Sequence, residues 1–269
     1  MLDIAIVTDE IALDIRTAIA EGKKLGIRKY ELRCVGSYEK RVPYIDKADY
    51  DFIKAEVASG TIEITALSPG TFKVTPSDRN AIARGLSETL PATIEMAKAL
   101  AAPLIILFSF TRDETPEAEV FDYYRQMAAM ADKAGLQVAI ENEPGFYCDS
   151  GANTARILAE LNIRNLGINW DPANAIGTGE LPYPVGYEAV KRFIRNVHVK
   201  DAIIDARQGC KLFGEGGVNW SGQIRALLQD QVVPHITLET HYNPLLESTQ
   251  LCYKRLKATM NMVAQEWTL

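Results

Sequence analysis

QVAIENEP (137–144), LGINWDPAN (166–174), NVHVKDA (196–202) and HITLETHY (235–242) are short apolar runs that each lead to a side chain able to bind a metal ion: Glu141, Asp171, His198 and Glu239. Each run is too short for a helix, is rich in aliphatic or β-branched residues, and turns polar where it stops, which reads as a buried strand. Further strand-like runs lie at 4–8, 30–35, 62–67 and 104–108. With the cores of the quoted segments, at 138–141, 166–171, 197–200 and 236–239, they make eight. Between them, AIARGLSETLPATIEMAKALA (81–101), AEVFDYYRQMAAMADKAG (118–135) and NWSGQIRALLQD (219–230) repeat apolar residues at helical spacing. Strand and helix thus alternate eight times in 269 residues, the arithmetic of an α/β chain folded as a (β/α)8 barrel, a single domain over 1–269. An open doubly wound sheet is disfavoured, because the first turn, TDEIALD (8–14), has no glycine.

Punctuation supports this reading. Gly26 and Gly135 follow periodic runs, where a left-handed helix cap suits glycine, and Pro76-Ser77-Asp78, Thr115-Pro116-Glu117 and Asn243-Pro244 read as helix openings. The glycine- and proline-rich stretches PGFYCDSGAN (144–153), GTGELPYPVG (177–186) and RQGCKLFGEGG (207–217) follow late strands, so in a barrel they stand over the carboxyl-terminal mouth.

A formal net charge of −6 disfavours nucleic acid as a partner, and no stretch is apolar enough to span a membrane. The first residues, broken by Asp3, Asp9, Glu10 and Asp14, do not read as a secretory signal. Cys34, Cys148, Cys210 and Cys252 are far apart and form no CxxC pair, so reduced thiols in a cytoplasmic protein are expected.

Strand ends of a parallel barrel point into one mouth, so Glu141, Asp171, His198 and Glu239 are expected to meet there. Four such groups repel unless neutralised, and three oxygens with one imidazole suit one divalent ion: manganese, magnesium, cobalt or zinc. His235 sits at the entry of its strand and belongs to the opposite end; His241 is a neighbour of the site or a surface residue. Lys200 shares a face with His198 by the two-residue period, which offers a cation to a substrate carboxylate or phosphate, or a salt bridge to Asp201 or another acid. Glu31 and Arg33 share a face too, and Arg33 at the mouth favours an acidic substrate. Trp170 and Trp220 read as packing residues, Phe146 and Tyr147 as a hydrophobic lid, and Glu215 as a turn residue or a brace for the histidine.

From YELR at Glu31 through LETHY, the chain resembles the xylose isomerase-like TIM barrels, a superfamily of sugar isomerases and epimerases that also holds dehydratases and apurinic endonucleases. AIENEPG resembles its strand-Glu-Asn segment, NWDPAN its strand-Asp-Pro segment, HVKD its His-x-Lys-Asp segment and FGEGGVNW its Gly-Glu-Gly loop. The resemblance implies metal ligation by Glu141, Asp171, His198 and Glu239. It also implies an isomerase or epimerase acting on a sugar, sugar phosphate or sugar acid. In that mechanism the ion chelates adjacent oxygens of a hydroxy-ketone and holds the developing enediolate, while Glu141 and Glu239 move the proton. Lys200, Asn174, Glu31 and Arg33 are then the substrate-binding candidates, and dimers or tetramers occur among relatives. Where many sugar epimerases carry a histidine three residues past the metal-binding aspartate, this chain has Asn174, which keeps hydrogen bonding and gives up proton donation. A dehydratase of a cyclic polyol or hydroxy-keto acid, and a non-catalytic sugar-binding barrel, are the competing readings. An apurinic endonuclease is excluded by three histidines and net charge −6, where a histidine-rich multinuclear site and a basic face are needed.

Overall fold

Alternating apolar strands and amphipathic helices leave each strand only one way to bury both faces: a side-by-side parallel sheet with helices outside, closed upon itself. The computed structural model, which describes residues 2–203 and 209–266, has that form. Its barrel strands are β1 (Asp3–Val7), β2 (Lys29–Leu32), β3 (Glu63–Leu67), β4 (Leu104–Phe108), β5 (Gln137–Glu141), β6 (Leu166–Trp170), β7 (Ile194–Val199) and β8 (His235–Leu238). They pair in chain order, and β8 closes on β1 with His235 opposite Asp3 and Leu238 opposite Ile6. This is the TIM barrel that the sequence predicts.

The surrounding helices include α1 (Ile15–Lys24), α2 (Lys47–Ala58), α3 (Leu90–Ala99), α4 (Glu117–Asp132), α5 (Gly151–Leu161), α6 (Tyr187–Val190), α7 (Trp220–Asp230) and α8 (Leu245–Gln265). Their inward stripes, such as Ile15, Ala18, Ile19 and Gly22 of α1, bury against the outer faces of the strands. Expected signals hold: Asp78 caps a helix by accepting from Ala81 N at 2.9 Å, α4 and α8 begin directly after Pro116 and Pro244, and Gly26 and Gly135 are left-handed at φ +80° and +72°. Among the described residues no helix is long and apolar enough to cross a membrane.

One element departs from expectation. The run at 30–35 is not one strand: β2 ends at Leu32, and Cys34–Val35 instead pairs antiparallel with Ser37–Arg41 about Gly36, at φ +83°. The chain leaves the barrel wall at Arg33, whose side chain turns to the mouth.

The lumen divides in two. Ala66, Leu104, Ile106 and Ala139 form a small apolar cluster separate from the helix–sheet core. Asn169, Asn196 and Thr237 form a polar ladder, in which Thr237 Oγ1 donates to Asn196 Oδ1 at 3.0 Å and Asn196 Nδ2 donates to Asn169 Oδ1 at 3.0 Å. That ladder rises toward the carboxyl ends of β5 to β8.

Candidate metal centre

At the top of the ladder Glu141, Asp171, His198 and Glu239 converge, all buried, each offering a ligand atom within 4.8 Å of the others. Each sits at or just beyond the end of its strand, where alternation turns it into the lumen. Asp171 is fixed most firmly. Its Oδ1 accepts from Asn174 N at 3.0 Å, capping the one-turn helix Pro172–Ile176, and Asn142 clamps its backbone from both sides, accepting from Asp171 N at 2.8 Å and donating to Asp171 O at 2.9 Å.

The His198 ring is set by its far nitrogen. Nε2 lies 3.0 Å and 3.2 Å from the two carboxylate oxygens of Glu31, which is fully buried and also accepts from Ser68 Oγ at 2.5 Å and Asn196 Nδ2 at 3.3 Å. That leaves Nδ1 facing the centre, 3.2 Å from Glu239 Oε2 and 3.8 Å from Glu141 Oε1. A carboxylate behind a ligand imidazole fixes its orientation and makes it a better donor.

Two cations thread the centre. Lys200 Nζ lies 2.6 Å from Asp171 Oδ2 and 3.3 Å from Glu239 Oε2, and Arg33 spans Asp9 at 2.9 Å, Glu10 at 2.6 Å and Glu239 at 2.5 Å. Burial works against charge on Lys200, but Asp171, Glu239 and Glu141 outweigh it and hold its pKa well above the ordinary value. His198 behaves likewise: burial opposes its charge, and Glu31, Glu239 and Glu141 overcome it. Burial raises the Glu239 carboxyl, yet Lys200, His198 and His241 bring it well below the usual carboxylate range. Asp171 is the exception, pushed up by burial that Lys200 only partly offsets.

Asp171 Oδ2 is therefore informative. It is buried and accepts no hydrogen bond, since the nearby ammonium supplies charge without hydrogen-bond geometry. A carboxylate oxygen held by charge alone, two further carboxylates and an imidazole nitrogen turned to the centre form a donor set that fits one divalent cation.

Glu141, His198 and Glu239, three of the four, line a cavity of about 330 Å³ with walls that include Phe108, Pro144, Ala173 and Ile203, a size suited to a small molecule. A larger hollow of about 620 Å³ lies at the opposite end, around Asp3, Lys29 and Glu63, away from the four ligands.

Of the substrate-binding candidates, Asn174 faces the cavity with Nδ2 3.5 Å from Glu141 Oε1 and 2.9 Å from Asn142 O. Glu31 lies behind His198, and Arg33 and Lys200 are engaged by the chain's own acids. His241 borders the centre, its Nε2 3.1 Å from Glu239 Oε1. His235 lies at the far end as expected, and there burial and then Lys29 lower its pKa to about 4. The lid reading of Phe146 and Tyr147 does not hold. Both are buried in loop packing, with the Tyr147 hydroxyl donating to Thr115 O at 2.7 Å and the Phe146 ring 5.8 Å from that of Phe108. Glu215 turns outward to Arg255 at 2.7 Å, and Asp201 braces its loop instead, accepting from Gly214 N at 2.9 Å and Val218 N at 3.2 Å. Of the stretch at 207–217, Arg207 and Gln208 lie outside the described residues. Trp170 and Trp220 are packing residues, Trp170 Nε1 donating to Gln223 at 3.0 Å.

Sequence reading missed Asn169, Asn196 and Thr237, which the same two-residue period would have found, each lying two positions before a ligand. Arg41, on the cavity wall, carried no local signal.

The family model for xylose isomerase-like TIM barrels matches residues 19–257. The chain belongs to this family. No curated protein matches the sequence significantly. Solved structures of the family superpose over nearly the whole chain. A D-tagatose 3-epimerase-like protein has a TM-score of 0.82 at 16% identity, covering 98% of this chain and 99% of its own. An IOLI protein with a bound zinc atom has 0.80 at 15%, covering 98% and 99%. An L-ribulose 3-epimerase has 0.79 at 14%, covering 100% and 97%. At such identities these likenesses establish the fold.

Proposed function

We propose that the chain is a divalent-metal-dependent isomerase or epimerase of a sugar, sugar phosphate or sugar acid, with Glu141, Asp171, His198 and Glu239 as ligands and Glu141 and Glu239 as the acid–base pair. The observation that carries this reading is the convergence of four donor atoms within 4.8 Å, three of them on residues that line a small-molecule cavity. A divalent ion held there supplies Lewis acidity, lowering the pKa of a C–H bond beside a chelated carbonyl.

The chain's residues do the rest. Glu141 is approached by the amides of Asn169 and Asn174 at 3.3 Å and 3.5 Å, so it faces the cavity free of a tight ion pair and takes the proton. Glu239 is held at Oε1 by Arg33 at 2.5 Å, which presents Oε2 toward the centre to return it. Asp171 and His198, locked by Asn142 and Glu31, act as ligands alone. Phe108, Pro144 and Ala173 narrow the cavity and exclude water from the reacting carbon.

Exchange of carbon-bound protons with heavy water, across a panel of ketoses, sugar acids and cyclic polyols with and without manganese, tests this. Glu141→Gln and Glu239→Gln are each expected to lose exchange by at least about a hundredfold. If both variants exchange normally while binding manganese, the assigned roles are wrong. Release of water with formation of a carbon–carbon double bond would move the reaction to the dehydratases. Ligand binding that needs no metal and admits no deuterium would leave a sugar-binding barrel.

A further inference from the structure

The cavity is lined by four lysine and arginine side chains, and three are already neutralised: Arg33 by Asp9, Glu10 and Glu239, Lys200 by Asp171 at 2.6 Å, and Lys73 by Glu143 at 2.9 Å. Arg41 is different. Among the described residues its guanidinium has neither an acid partner nor a hydrogen-bond acceptor, although it lies on the cavity wall.

Arg41 stands exposed at the rim of the cavity: it ends the hairpin strand Ser37–Arg41, and its side chain reaches the loop after β3, where it lies against the backbone of Gly70. Gly70 has φ +74°, a backbone conformation that calls for glycine, and the Arg41 guanidinium lies over it where a β-carbon would stand, 2.8 Å from Nη1. The four ligands come from β5 to β8, whereas Arg41 and Gly70 come from the ends of β2 and β3, on the far side of the barrel. A substrate with its oxygens at the centre therefore points its other end at a guanidinium that has no acid partner among the described residues.

We propose that Arg41 is an anion subsite that holds the carboxylate or phosphate at the end of the substrate remote from the reacting carbon, an inference that rests on the metal-centred reading of the same cavity. The planar fork of a guanidinium pairs with two oxygens of either group. Arg33 and Lys200, which the sequence offers for this task, have their charge engaged by the chain's own carboxylates. The substrate class narrows from sugars at large to sugar acids and sugar phosphates.

Fructose, fructose 6-phosphate and fructuronate share a skeleton and differ at carbon 6, so calorimetric titration of the manganese-loaded protein with each isolates the anion. Wild type is expected to bind at least one of the two anionic ketoses ten times more tightly than fructose, and the one preferred identifies phosphate or carboxylate. Arg41→Ala is expected to cut that ratio at least fivefold, and Arg41→Lys to keep part of it. A manganese titration of each variant checks that the centre is intact. Equal affinity for all three ketoses, no binding of any of them, or an unchanged ratio in Arg41→Ala overturns the proposal. Calorimetry needs no turnover, so this failure is distinct from an absence of proton exchange, which would sink the isomerase reading instead.

Discussion

An imidazole can bind a metal through either nitrogen, and the group that holds the other nitrogen decides which. For His198 that group is Glu31, 167 positions away in the chain and fully buried, with one oxygen also held by Ser68 at 2.5 Å. Glu31 lines the cavity, as its strand face suggests, and at the same time holds the far nitrogen of the histidine. Glu31→Gln keeps the shape and removes the charge. Manganese affinity is expected to fall about 10- to 100-fold, the usual cost of losing a partner behind a ligand histidine. Titration of the variant followed by electron paramagnetic resonance reads this directly, and unchanged affinity would show that the Glu31 charge does not set the ring, leaving the Asn169 amide, 3.1 Å from Nδ1, to orient it.

The strands were legible because each is a local object, four to six residues of alternating or continuous apolar character ending on a polar group, and eight of them imply closure. The convergence of Glu141, Asp171, His198 and Glu239 was legible for the same reason, since position at a strand end determines where a side chain points. What escaped is non-local. Arg33 meets Glu239 across 206 positions, and no periodicity in either segment encodes that pair. The hairpin after β2 escaped because Cys34 and Val35 read as a continuation of the strand, when the chain turns at Gly36 to pair with itself. The loop after β7 shows how one residue stands in for regular structure. Asp201 Oδ1 and Oδ2 accept from Ala202, Gly214 and Val218 backbone N–H groups at 3.1, 2.9 and 3.2 Å. Asp201→Ala leaves those donors without a partner at a partly buried site, so a loss of about 2–4 kcal/mol in urea unfolding is expected, with new proteolytic cleavage in the 210–218 segment. Stability within a few tenths of a kcal/mol of wild type would mean that solvent replaces the carboxylate at no cost.

Barrel closure concentrates charge. It brings the Glu31, Glu141, Asp171 and Glu239 carboxylates to one end of the lumen, where burial favours none of them ionised, and the fold offsets this with Lys200, Arg33 and His198. Asp171, raised in pKa by burial that its ion pair with Lys200 only partly offsets, is where that compensation is least complete. Bound as proposed, a divalent ion would complete it in the folded chain only, because Glu141, Asp171, His198 and Glu239 come from four strands that are apart once the barrel opens. Binding must then stabilise the whole molecule by mass action, by about 4 kcal/mol when the free ion is at a thousand times its dissociation constant, and the melting temperature should rise by roughly 10 °C for a domain of this size. The sign with pH follows from His198. Its pKa is raised in the metal-free protein by Glu31, Glu239 and Glu141, so below that value an entering cation must displace a proton, and the stabilisation should grow as pH rises toward it. Calorimetric scans of chelator-treated protein, with and without manganese at several pH values, measure both effects. Asp171→Asn, which keeps the cap to Asn174 and gives up the charge, should lose most of the metal-dependent increment. A melting temperature indifferent to saturating manganese would mean that Lys200 and the protonated His198 already satisfy the carboxylates, and that the centre is an ion-pair network with no place for a metal.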